Sequence, residues 1–177
     1  MSLTGREFWT VLHGMLLGSL FLLAFAGGLA GFWSLRPEWV TVAGIQERVR
    51  RMIAGTWIMA IVAWLTVFVG TYIVYPWYRA KLPPGTTDLT RFPRSFLLSN
   101  PGTAGWHNFG MEWKEHVAWL APILATAVAY VTTRYGTALA REPKLRRTLM
   151  ILFVVAFAAA AVAGVFGAFI NKVAPTH

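Results

Sequence analysis

The stretch LMILFVVAFAAAAVAGVFGAFI, residues 149–170, holds no charged side chain. As a helix rising about 1.5 Å per residue it is long enough to cross the ~30 Å hydrocarbon layer of a bilayer. Outward from it, three further apolar runs stand at about 8–33, 55–78 and 113–135. Hydrocarbon offers no hydrogen bonds, so each run is expected to be a helix that satisfies its own backbone. The chain is 56% hydrophobic and 13% charged, and the spacers leave no room for a water-soluble domain. The sequence predicts one all-α domain over 1–177, an integral membrane four-helix bundle running up-down-up-down.

The first run has the outline of a secretory signal: Arg6, an apolar stretch, then Ala24-Phe25-Ala26. It stays apolar through Phe32, so an uncleaved helix is expected, capped by Thr4 or Ser2 with Glu7 in its first turn. Between the first two helices, Pro37 starts a segment in which Trp39, Val40, Val42, Ile45 and Val49 alternate with Glu47, Arg48, Arg50 and Arg51. That pattern predicts an interfacial segment in the headgroup layer. Tyr72, Tyr75, Trp77 and Tyr78 form an aromatic belt closing the second helix.

The next connection contains the turn signals Leu82-Pro83-Pro84-Gly85 and Asn100-Pro101-Gly102. It also carries Phe92, Phe96, Leu97, Leu98, Trp106 and Phe109, too apolar for a tether, so residues 82–109 are expected to be a long lid loop over the bundle end. The third helix is expected to start near Gly110 and bend at Pro122. Gly14 and Gly18, Gly27 and Gly31, and Ala160, Gly164 and Ala168 repeat at four-residue spacing, which suits close helix contact.

Net charge is +9 and is spread over both membrane faces. That suits anionic lipid and acidic partners rather than nucleic acid, for which no basic stripe exists. A small excess of basic residues in the first and third connections places both termini on the outer side of a bacterial inner membrane. The chain has no cysteine, which excludes disulfides, thiolate metal sites and covalent c-type haem. Nucleophile motifs, phosphate-binding glycine loops and dinucleotide fingerprints are absent, which removes hydrolase and kinase readings.

The histidines are His13, His107, His116 and His177, and alternating threading puts all four at one membrane face. His13 follows Trp9 by about 6 Å of helix axis and His116 follows Trp113 by about 4.5 Å, so their depths match. The first and third helices of such a bundle are diagonal. Two imidazoles across a bundle are what an axially ligated haem iron needs. His13 and His116 are therefore expected to ligate one b-type haem, with Gly14 and Gly18 relieving crowding against the macrocycle. Arg6, Arg91, Arg94, Lys114 and Trp106 would meet the propionates, and Met15, Phe21, Trp57, Val117 and Leu120 would supply apolar walls.

The alternatives are plain packing for the glycines, an interfacial histidine pair, and a quinone or a chlorophyll-type pigment in place of haem. His107 and His177 are expected to stay exposed. Glu112, one turn before His116, either orients that imidazole or complements the helix dipole. Glu112, Glu115 and His116 as a bare metal site lack sulfur or a second histidine at one-turn spacing. Trp57, Trp64 and Trp119 are expected to be core packing.

In layout and histidine placement, over all four helices, the chain resembles the small four-helix b-type cytochromes that serve as membrane subunits of electron-transfer complexes. The resemblance implies electron passage to a quinone pool or a cytochrome on the histidine side, with other membrane subunits and lipids as partners. The chain departs from diheme members in having no histidine at the opposite face, which limits it to one bis-histidine haem. A rival reading is a non-catalytic assembly subunit that binds lipid or pigment. A transporter fits less well, for there is no internal repeat and no charge at mid-membrane.

Overall fold

The computed structural model describes residues 3–36 and 41–175. Four helices, Gly5–Ser34, Gly44–Tyr78, Pro101–Ala140 and Pro143–Val173, are long and apolar enough to cross a membrane. No strand occurs among the described residues. The helices carry apolar side chains outward as well as inward: Leu23 is 70% exposed, and Ile58, Ile123 and Ile151 are half exposed or more. Water penalises such a surface and hydrocarbon does not.

The first helix is capped by Thr4 with Glu7 in its first turn, as expected, while the second and third start earlier than expected, where capping side chains stand. At the first, Glu7 N–H donates to Thr4 Oγ1 at 3.2 Å while Thr4 N–H donates to Glu7 Oε2 at 2.8 Å, a reciprocal cap. Ser2 lies outside the described residues. The second helix starts well before residue 55, where Gly44 N–H donates to Thr41 Oγ1 at 3.1 Å. Glu47 then pairs with Arg50 and Arg51 at 2.6 and 2.7 Å, one turn on. Residues 44–52, expected in a separate interfacial segment, are therefore the opening turns of the second helix. Pro37, Trp39 and Val40 lie outside the described residues.

The third spanning helix starts at Pro101, well before Gly110. Asn100 Oδ1 accepts the Gly102 N–H at 2.8 Å, and Pro101 has no N–H to leave unpaired in the first turn. Residues 101–109 of the expected lid are thus helical, and Pro93–Leu98 forms a short helix of its own. The irregular part includes Gly85 at φ +79°, a left-handed turn position that glycine adopts without strain. Asp88 there accepts from Thr90 N–H and Oγ1–H, which holds its carboxyl below the usual range. Just before Pro122 the third helix tightens into a 3₁₀ turn at Val117–Trp119, because proline gives no N–H to the Ala118 carbonyl.

The chain divides into two units. In the unit Ser19–Trp64 with Leu120–Ala159, helix backbones touch at glycine. A Cβ on Gly55 would lie 3.3 Å from Gly28 N, and one on Gly31 would lie 3.0 Å from Met52 Cβ. The contact runs through Gly28 and Gly31 and not through Gly27, which faces open space. Phe153, with no exposure, has Phe25 at 5.5 Å and Phe32 at 5.8 Å. Trp57 and Trp64 donate indole N–H bonds to Thr133 and Thr126 at 2.9 and 3.0 Å, an antiparallel register. Each threonine passes its own proton back one turn, to the carbonyls of Ala129 and Pro122.

The other unit combines Met1–Gly18, Leu65–Trp119 and Ala160–His177. Its apolar core is Tyr78, Leu97, Met111, Ile170 and Ala174, with Phe96, Trp106 and Phe166 packed against it. Overpacking the Gly55–Gly28 contact with Gly55→Leu should cost ~1–3 kcal/mol. Gly27→Leu, pointing into open space, should stay within about 0.5 kcal/mol of the parent. Unfolding midpoints in one detergent compare the two.

Candidate functional site

Among the described residues, three π-helical turns interrupt the spanning helices, at Leu12–Leu16, Gly70–Val74 and Trp106–Met111. All three lie in the unit that holds the described histidines. A π turn inserts a residue into the helical ladder, re-aims the side chains around it, and recurs at functional sites. His13 sits within the first. Gly70 opens the second and faces it: a Cβ there would stand 2.8 Å from His13 Cε1. The imidazole therefore lies against bare backbone that only glycine provides.

His13 Nδ1 is buried with no hydrogen-bond partner among the described residues. The Thr66 main chain reaches its ring, and Lys114 is near enough to act on it electrostatically. Lys114, expected at the wet face, turns inward instead. Its Nζ donates to the Ala163 carbonyl at 3.3 Å and rests over Gly167, where a Cβ would meet it at 2.7 Å. Ala163 and Gly167 are one turn apart, so the fourth helix offers the ammonium a carbonyl on a face free of bulk. Ionisable side chains within spanning helices are costly and mark functional sites.

A second polar cluster holds His107, which is buried at 9% exposure where an exposed position was expected. Arg94 Nε donates to His107 Nε2 at 3.4 Å. A neutral ring that accepts at Nε2 carries its proton on Nδ1, so Nδ1–H donates to Tyr78 Oη at 2.8 Å. Tyr78 is itself buried. Beside them Arg79 Nη1 donates to Tyr75 Oη at 3.0 Å, and Glu115 also reaches that hydroxyl. The loop reading of His107 fails because the helix starts at Pro101 and the π turn aims the ring inward. Tyr78 was legible only as a belt residue, and Gly70, after Val67-Phe68-Val69, was the one signal for a bare patch.

His116 is 70% exposed. Its Nδ1–H donates to the Glu112 carbonyl at 3.0 Å, with Glu112 Oε2 at 3.5 Å, which leaves Nε2 outward and basic. Metal-ligating histidines are held in this way. By donor chemistry both histidines fit axial ligation, His13 through its unpartnered nitrogen and His116 through Nε2. Their surroundings differ, one facing inward on Gly70 and the other exposed, and no hydrogen bond or ring contact joins them among the described residues. Gly14 and Gly18 have open space around them. Arg6 stands 6.0 Å from the Trp77 ring, and Trp106 stacks on Phe169 at 5.2 Å.

Of the expected walls, Met15 and Leu120 are exposed, while Phe21 stacks on Phe157. His177 lies outside the described residues. No group of three or more potential metal ligands occurs among the described residues, so Glu112, Glu115 and His116 do not assemble a bare metal site. No family model, curated protein or solved structure matches the chain.

Tyr78→Phe removes the acceptor of the buried His107 Nδ1–H and should destabilise the protein by ~1–3 kcal/mol. Tyr78→Phe combined with His107→Phe should recover part of that loss, since no orphaned donor remains. Thermal melts of the two single variants and the double variant measure it.

Proposed function

We propose that this chain is a membrane subunit of an electron-transfer complex that carries one b-type haem, with His13 and His116 as axial ligands. The observation that carries this reading is the buried Nδ1 of His13, without a hydrogen-bond partner among the described residues, in a helix apolar enough to span a membrane. Burying a polar atom without a partner costs free energy that a bound ligand offsets. Haem, when bound, supplies one-electron redox chemistry. The Glu112 carbonyl keeps the His116 proton on Nδ1, so that Nε2 remains the basic nitrogen. Gly70 leaves a wall without side chains beside His13. Lys114, Arg6 and Arg94 give this end of the helices positive charge suited to carboxylates.

In the same reading the helices run up-down-up-down in a bacterial inner membrane, with both termini and the histidines on the outer side. The partners are other membrane subunits and, on the histidine side, a quinone or a cytochrome. A second reading, a non-catalytic assembly subunit that binds lipid or pigment, is favoured by the exposure of His116. A bis-histidine haem within one chain needs both imidazoles turned to one space.

The reduced-minus-oxidised optical spectrum of the purified protein separates the two. We expect a Soret band of a low-spin haem that is lost in His13→Ala and, separately, in His116→Ala, and retained in His107→Ala. Protein with no Soret band would overturn the haem reading and leave the assembly subunit.

A further inference from the structure

A groove of about 570 Å³ opens where the first spanning helix ends and the fourth begins, wholly within the unit Ser19–Trp64 with Leu120–Ala159. One end is basic, formed by Arg36, Arg146 and Arg147; the rest is apolar, continuing along Ile151, Val154 and Val155. Those three side chains are 55%, 42% and 45% exposed, so the apolar wall runs on over the outer surface of the helix. Charge at the helix ends with an open hydrocarbon track below is the layout of an amphiphile site at the membrane interface.

The basic end is built and held. Arg146 Nη1 donates to the carbonyls of Leu35, Leu139 and Ala140, which tie together the end of the first helix and the turn before the fourth. Those bonds use one nitrogen of the guanidinium. Nε and Nη2 make no hydrogen bond among the described residues and stay available to a second acceptor. Arg36 stacks over the Trp33 ring at 4.4 Å, which fixes a second guanidinium on the same groove. Arg147 is exposed and makes no ion pair among the described residues. Arginine suits phosphate because its planar fork presents paired donors.

We infer that this groove binds one anionic phospholipid, its phosphate held by Arg146, Arg147 and Arg36 and one acyl chain lying along Ile151, Val154 and Val155. The occupant is a lipid and not a soluble anion because most of the groove wall is hydrocarbon. The site stands independently of the haem reading, since it shares no residue with it.

Native mass spectrometry of the whole protein, released from detergent with dioleoyl phosphatidylglycerol or dioleoyl phosphatidylcholine, tests this. One molecule of phosphatidylglycerol should be retained in preference to phosphatidylcholine. The preference should fall by about fivefold in Arg147→Gln and again in Arg36→Gln/Arg147→Gln, the loss expected of each basic residue at an anionic surface. Arg50→Gln, whose arginine pairs with Glu47 outside the groove, should keep the preference. Equal retention of the two lipids would overturn the proposal. So would a loss in Arg50→Gln as large as in Arg147→Gln, which would mean diffuse surface charge. Displacement of the lipid by millimolar inorganic phosphate would overturn it in favour of a soluble anion.

Discussion

Hydrocarbon accepts and donates no hydrogen bonds, and the polar groups of this chain are arranged around that constraint. The indoles of Trp57 and Trp64 are met by threonines, whose own protons return to carbonyls one turn back. The ammonium of Lys114 finds a main-chain carbonyl, and His107 is bracketed by Tyr78 and Arg94. Arg146 spends one nitrogen on three carbonyls at the helix ends. Against this background two buried atoms lack a partner among the described residues, Thr132 Oγ1 and His13 Nδ1, and the reading of function rests on the second.

Glycine does two different jobs in the two units. At Gly28 and Gly55 it lets backbones touch, and the gain is dispersion between helices, with Phe153 closing over Gly28. At Gly70 and Gly167 it leaves bare backbone to receive a polar side chain, His13 in one case and Lys114 in the other. The π turns among the described residues lie in the unit of the second use, where Gly110 also receives the Phe166 ring. A helix that widens by one residue loses some ladder regularity, and tertiary contacts around the site offset that loss.

The arginine-lined groove belongs to the unit without the described histidines. The described histidines and the groove arginines are thus carried on separate stretches of the same four helices. A lipid bound at the groove would order the junction of Leu35 and Arg146.

The sequence by itself determined the number of spanning helices, their all-α character and the exclusion of thiolate and c-type chemistry, because transfer of an apolar run into hydrocarbon depends on composition and length alone. It also placed Glu112 beside His116, a contact set by one turn of helix. Helix starts at Val42 and Pro101 were less legible, since charged or glycine-rich opening turns read as interface or loop until Thr41 and Asn100 are seen to cap them. Only the tertiary structure decided which way side chains face: His107 and Lys114 inward, His116 outward, Gly28 rather than Gly27 at the helix contact. Depth accumulates by a fixed rise and can be counted from the sequence, but direction turns by about 100° per residue. A single π turn rotates every side chain beyond it. One such turn contains His13 and another ends at Met111, just before Glu112–His116, so the facing of both histidines was settled by local backbone geometry that residue spacing does not encode.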